Sequence, residues 1–178
     1  RLLHQNSSAS SLGFESAYIP NGVRLGDACW RDFDNDGDLD FALAGVGSLQ
    51  IYAQQNGTFA MAADLPGLIS VELITGDINN DGREDFVLSG INPVDSNAAT
   101  RVLINRGGMV FESIPLPLGL DPLNSAGALV DIDNDGDLDL ALSGFGGAVD
   151  AGLHLRLYQQ HQQLTPALLF TRFRATSD

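Results

Sequence analysis

Asp32-Phe33-Asp34-Asn35-Asp36-Gly37-Asp38-Leu39-Asp40 places five carboxylates in nine residues, and the pattern returns as Asp77-Ile78-Asn79-Asn80-Asp81-Gly82-Arg83-Glu84-Asp85 and as Asp131-Ile132-Asp133-Asn134-Asp135-Gly136-Asp137-Leu138-Asp139. Like charges at this density repel one another, so a compact fold requires a cation among them. In each copy the first, third and fifth residues carry side-chain oxygens, the sixth is Gly and the ninth is Asp. Oxygen ligands alone, in that number, suit calcium better than zinc, which prefers nitrogen and sulfur, or magnesium, which keeps its waters. Gly at the sixth place lets the backbone turn so that the seventh residue presents its carbonyl, which is why Arg83 is expected to be tolerated there. An EF-hand loop would need a bidentate Glu at the twelfth place, where this chain has Leu43, Leu88 and Leu142.

Each loop runs into a short apolar stretch closed by glycine: Phe41 to Ala44 before Gly45, Phe86 to Ser89 before Gly90, and Leu140 to Ser143 before Gly144. Such runs read as buried strands. Working outward, strands are expected near Ala28–Asp32, Leu39–Ala44, Leu49–Gln54 and Thr58–Ala63, with a turn at Asn56-Gly57. The second copy repeats this with Ser70–Thr75, Asp85–Ser89, Thr100–Asn105 and Met109–Ile114, and the third with Gly127–Asp131, Leu138–Ser143, Leu153–Gln159 and Ala167–Phe173. Loop starts lie 45 and 54 residues apart, the length of a four-stranded antiparallel unit, and no amphipathic helix is expected. Leu2-Leu3 and Phe14 to Ile19 correspond to the third and fourth strands of a unit whose first two are missing.

The chain has 178 residues and a formal net charge of -14, but 14 of its 23 acids lie in the three loops. The remaining surface is near neutral, and the overall sign excludes nucleic acid as a partner. No run is apolar enough for a membrane span. Cys29 is the single cysteine and reads as a small buried hydrophobe. Asn6-Ser7-Ser8 and Asn56-Gly57-Thr58 are N-glycosylation acceptors, which fits a secreted protein.

The acidic loop followed by an apolar strand and Gly resembles the FG-GAP and VCBS-type repeats of integrin-α-like β-propellers. The chain departs from the integrin pattern in lacking Phe-Gly before each loop and in carrying Gly45-Val46, Gly90-Ile91 and Gly144-Phe145 after the second strand. The resemblance implies an all-β propeller segment with a loop between the first two strands of each blade. It divides the chain into 1–20 (the end of a preceding blade), 21–65, 66–118 and 119–178. It also implies about three calcium ions, held by Asp32, Asp34, Asp36, Asp38 and Asp40; by Asp77, Asn79, Asp81, Arg83 and Asp85; and by Asp131, Asp133, Asp135, Asp137 and Asp139. Residues at the seventh place would serve through their carbonyls.

The expected function is a calcium-stabilised extracellular module for adhesion or recognition of protein or glycan. The alternative is a purely structural module of a larger extracellular enzyme or filament. A catalytic constellation is absent: there is no G-x-S-x-G, no Lys for a phosphate loop, and His4, His154 and His161 are scattered. Ligands are expected on the connections between second and third strands, at Asp95, Ser96, Asn97 and Asp150, on the face away from the acidic loops. Three blades and a part would leave open sheet edges, so further blades or other copies of the chain are expected to complete the domain.

Overall fold

The computed structural model describes residues 2–6, 13–17, 24, 26–114, 123–124, 126–146, 153–160 and 170–172, and among them there are strands and turns but no helix. A hairpin of β1 (Leu2–Asn6) and β2 (Gly13–Ala17) comes first. Then β3 (Asp27–Arg31), β4 (Asp40–Gly45), β5 (Ser48–Gln55) and β6 (Thr58–Pro66) pair in chain order as an antiparallel meander. A second meander of β7 (Ile69–Gly76), β8 (Asp85–Ile91), β9 (Ala98–Asn105) and β10 (Phe111–Ile114) repeats it. In the third sheet β13 (Asp139–Gly146) pairs with β14 (Leu153–Gln160), which pairs with β15 (Phe170–Arg172). The other edge of β13 takes both β11 (Leu123–Asn124) and β12 (Gly127–Val130). Leu123 opposes Gly146 and Gly127 opposes Leu142, so β11 and β12 hold one register along the same edge of β13.

The uninterrupted apolar runs after each loop follow from where the second strands lie. In β8 every residue from Asp85 to Gly90 is buried, because the second sheet is covered on both faces. Phe86, Leu88 and Leu103 point one way, into a cluster with Phe33, Ala42, Leu49 and Ile51 of the first sheet and its loop. Val87, Val102 and Ile104 point the other way, into a cluster with Ile78, Leu140, Leu142 and Tyr158. The two cores therefore lie between successive sheets, and each sheet needs its neighbours to bury its faces.

First strands of neighbouring sheets stand beside one another. The Leu73 N–H of β7 donates to Asp27 of β3 at 3.2 Å, and β7 also touches β12. Gly127 on β12 permits this approach, since a Cβ there would lie 2.5 Å from Ile74 Cδ1 and 2.8 Å from Leu142 Cδ2.

Candidate metal centres

Each acidic loop joins the first strand of its sheet to the second. Two features fix it in place. In the first two loops the residue at the second place, Phe33 or Ile78, is fully buried in the inter-sheet core, whereas Ile132 of the third is exposed. Phe33 packs on Phe86 with ring centroids 4.8 Å apart. The Asp at the ninth place is also fully buried, and its two oxygens tie the loop to the sheet. Asp40 Oδ2 accepts the Phe33 N–H and Oδ1 that of Gln54 on β5, both at 2.9 Å. Asp85 does the same for Ile78 (2.9 Å) and Asn105 (2.7 Å), and Asp139 for Ile132 and Gln160, both at 2.8 Å.

Within the loop, the first Asp gathers the turn: Asp32 accepts the N–H groups of Asp36 (3.1 Å) and Gly37 (2.9 Å), and Asp77 and Asp131 repeat this on their own fifth and sixth residues. The third and fifth side chains accept N–H groups two residues on, as in Asp36 N–H to Asp34 and Asp38 N–H to Asp36. Positive φ is needed at the sixth residue, 95°, 82° and 92° at Gly37, Gly82 and Gly136. It also occurs at the fourth, 60°, 55° and 62° at Asn35, Asn80 and Asn134, where Asn tolerates the left-handed region better than most side chains.

This backbone brings the carboxylate oxygens of Asp32, Asp34 and Asp40 within 4.8 Å of one another, and likewise those of Asp131, Asp133 and Asp139. Burial first, and then the charges of Asp40 and Asp36, raise the Asp34 carboxyl above its ordinary value. Burial also pushes Asp85 up to about 6, against the two N–H donors that favour its charged form. Carboxylates forced together at a loss suit a hard divalent cation, so the donor set fits calcium. In loop two the matching residues are Asp77, Asn79 and Asp85, with a carboxamide at the third place. There Asp81 accepts from Asn79 Nδ2 (2.8 Å) and from the guanidinium of Arg83, which also donates through Nε to the Asn105 carbonyl at 2.8 Å. At the seventh place, then, Asp38 is exposed, Arg83 is ion-paired, and Asp137 is buried and accepts from Asn80 Nδ2 at 2.9 Å.

The fourth-place asparagines also link one loop to the next, a role the sequence reading did not find. Asn35 Nδ2 donates to the Gly82 carbonyl of loop two at 3.1 Å, and Asn80 Nδ2 to the Gly136 carbonyl of loop three at 3.2 Å. In the reverse direction, Asn105 Nδ2 reaches the Phe33 carbonyl and Gln160 Nε2 the Ile78 carbonyl, both at 2.8 Å. The signal was available: Asn stands fourth in all three copies.

The other singled-out residues lie apart. Asp95, Ser96 and Asn97 are exposed on the β8–β9 connection, at the end of β8 remote from loop two. That connection is shorter than its apolar flanks suggested, because Gly90 and Ile91 continue β8 against Ala99 and Ala98. What remains, 92–97, is closed on itself: Asn92 exchanges backbone hydrogen bonds with Ser96 and Asn97, and Asp95 accepts the Asn97 N–H. Asn56 is exposed in a two-residue turn at φ 50°. Asp150 lies outside the described residues, as does the side chain of Asn6. Burial pushes the Cys29 thiol up to about 12, so it is no ready nucleophile at neutral pH.

A family model described as FG-GAP-like repeat matches residues 32–88 and again 77–142, each match opening on the first Asp of a loop. A search of curated proteins finds no match to the chain.

Proposed function

The chain belongs to the FG-GAP-like repeat family, and on that footing we propose that its sheets are blades of a calcium-stabilised β-propeller serving outside the cell in adhesion or recognition of protein or glycan. The observation that carries this reading is the convergence of Asp32, Asp34 and Asp40, repeated at Asp131, Asp133 and Asp139, on loops that sit between first and second strands. Bound there, calcium would neutralise the clustered carboxylates and cross-link the loop to its sheet through Asp40, Asp85 and Asp139. The blades are 21–65, 66–118 and 119–178, with 1–20 as the end of a preceding blade, consistent with the paired β1 and β2. Further blades, or other copies of the chain, are the partners that complete the domain.

No helix of the described residues is long and apolar enough to cross a membrane. Repeats of this family are typically extracellular, which agrees with the acceptor sequence at Asn56 on an exposed turn. We assign the segment no catalysis. Recognition is placed on the connections between second and third strands, including Asp95, Ser96 and Asn97. The self-bonded state of 92–97 favours a second reading, a purely structural module of a larger extracellular assembly. A glycan array and a pull-down from extracellular matrix extract, each run in calcium and in EDTA, separate the two. Calcium-dependent binding that Asp95→Ala and Asn97→Ala weaken supports recognition, and absence of any binding supports the structural role.

A further inference from the structure

The three loops do not offer an ion the same reception. In loops one and three the third and fifth places are both Asp, and none of Asp34, Asp36, Asp133 and Asp135 is ion-paired among the described residues. Their competing donors are neutral: backbone N–H groups and, on Asp133, the Gln159 carboxamide at 2.9 Å. Loop two differs at two places. Asn79 replaces a carboxylate and turns its Nδ2 onto Asp81 Oδ2. Arg83 brings a guanidinium to that same oxygen, while Asp81 Oδ1 takes the Arg83 N–H at 3.0 Å. Both oxygens of the fifth-place ligand are thus engaged, one of them by a cation that belongs to the chain. Arg83 is anchored from behind by the Asn105 carbonyl, so it is held in place on Asp81.

Resting on the calcium reading above, we propose that loop two is a weak, exchangeable calcium site gated by Arg83, set between two tight sites in loops one and three. Calcium affinity in oxygen-ligand loops rises with the charge of the ligand set. Loops one and three each carry five acids and no base, whereas loop two carries four acids and Arg83. An ion entering loop two must also draw Asp81 away from the guanidinium, whereas its counterparts Asp36 and Asp135 are in no ion pair among the described residues.

The position of loop two gives this inequality a consequence. Its Gly82 carbonyl receives Asn35 from loop one, and its Asn80 donates to Gly136 and Asp137 of loop three. Asn105, whose carbonyl holds Arg83, uses its own side chain to hold the Phe33 carbonyl of loop one. Displacing Arg83 therefore releases a group at the junction of the first two sheets. Filling and emptying loop two alters that junction while the outer ions stay bound, which makes the segment responsive to calcium over a range in which its fold is retained.

Calorimetric titration of the chelator-stripped, 178-residue chain with calcium alone tests this. Two tight sites and a third weaker by about tenfold or more are expected. Arg83→Gln should tighten the third by about tenfold and leave the other two unchanged, and Asn79→Asp, which keeps Arg83, should act in the same direction. Asp81→Asn should remove the weak site alone. Three sites of equal affinity, or a weak site indifferent to Arg83→Gln, would overturn the proposal while leaving the calcium reading intact. Absence of any binding in the parent chain would overturn the calcium reading, and the proposal with it.

Discussion

On the calcium reading Asp40, Asp85 and Asp139 each have two duties, because the oxygens they would offer an ion also accept two buried N–H groups. Asp40→Ala should therefore lower stability even in EDTA, by about 3 kcal/mol, since it strands two backbone donors at ~1–3 kcal/mol each. Asp36→Ala removes only an exposed turn acceptor and should cost stability chiefly when calcium is present. Urea melts of both variants with and without EDTA distinguish the roles. Asp85 also dictates a pH response. Its carboxyl rises from an ordinary 3.8 to about 6 through burial, so its contribution is fully present below about 3.8 and is lost as pH climbs through about 6. Asp34 is shifted in the same direction. In EDTA the melting temperature should therefore rise as pH falls from about 7 to about 5, and Asp85→Asn should flatten that rise. Saturating calcium should abolish it, because the ion takes over the neutralisation. The convergence of Asp32, Asp34 and Asp40 was legible from the fixed spacing of their oxygen side chains. The Asn ladder was not, because its acceptors are backbone carbonyls of the next repeat, which a linear reading does not bring near.

At the level of strands, the apolar runs were read correctly as buried, and β8 shows why: its two faces serve two different cores. Phe86→Ala would open a cavity against Phe33 and Phe111 and should cost about 3–5 kcal/mol, read as a lowered urea midpoint. The Asn56-Gly57 turn was legible from its chemistry, since both residues accept the positive φ that a two-residue hairpin requires. The β4–β5 turn was not. It has the same geometry, with φ 50° at Val46 and 81° at Gly47, yet a β-branched residue gives no hint of it. Val46 is exposed, so Val46→Asn should relieve the strain and raise stability by about 1 kcal/mol, visible as a small rise in melting temperature. The pairing of both β11 and β12 with one edge of β13 likewise left no mark in the sequence that we can name. Gly90, expected from its residue type to close the apolar run, instead pairs with Ala99 inside the ladder.

Across the molecule, the repeats are joined by two kinds of contact, apolar cores between sheets and a row of hydrogen bonds between loops. The charge of -14 concentrates on that row, so the edge that connects the repeats is also the one most loaded with repulsion. Three repeats in phase made the sheet order legible, and the order of strands within each sheet follows directly from the meander. The way successive sheets share a core was not legible, because it depends on which face of each strand meets the next repeat. The central claim is that calcium in the acidic loops holds this arrangement together. It is tested most directly by thermal unfolding of the same chain in excess calcium and in EDTA, followed by circular dichroism at neutral pH. Saturation to about 100 times the dissociation constant adds ~2.7 kcal/mol per site, so each tightly filled loop should raise the melting temperature by about 5 °C or more. Coincident melting curves in the two buffers would contradict it.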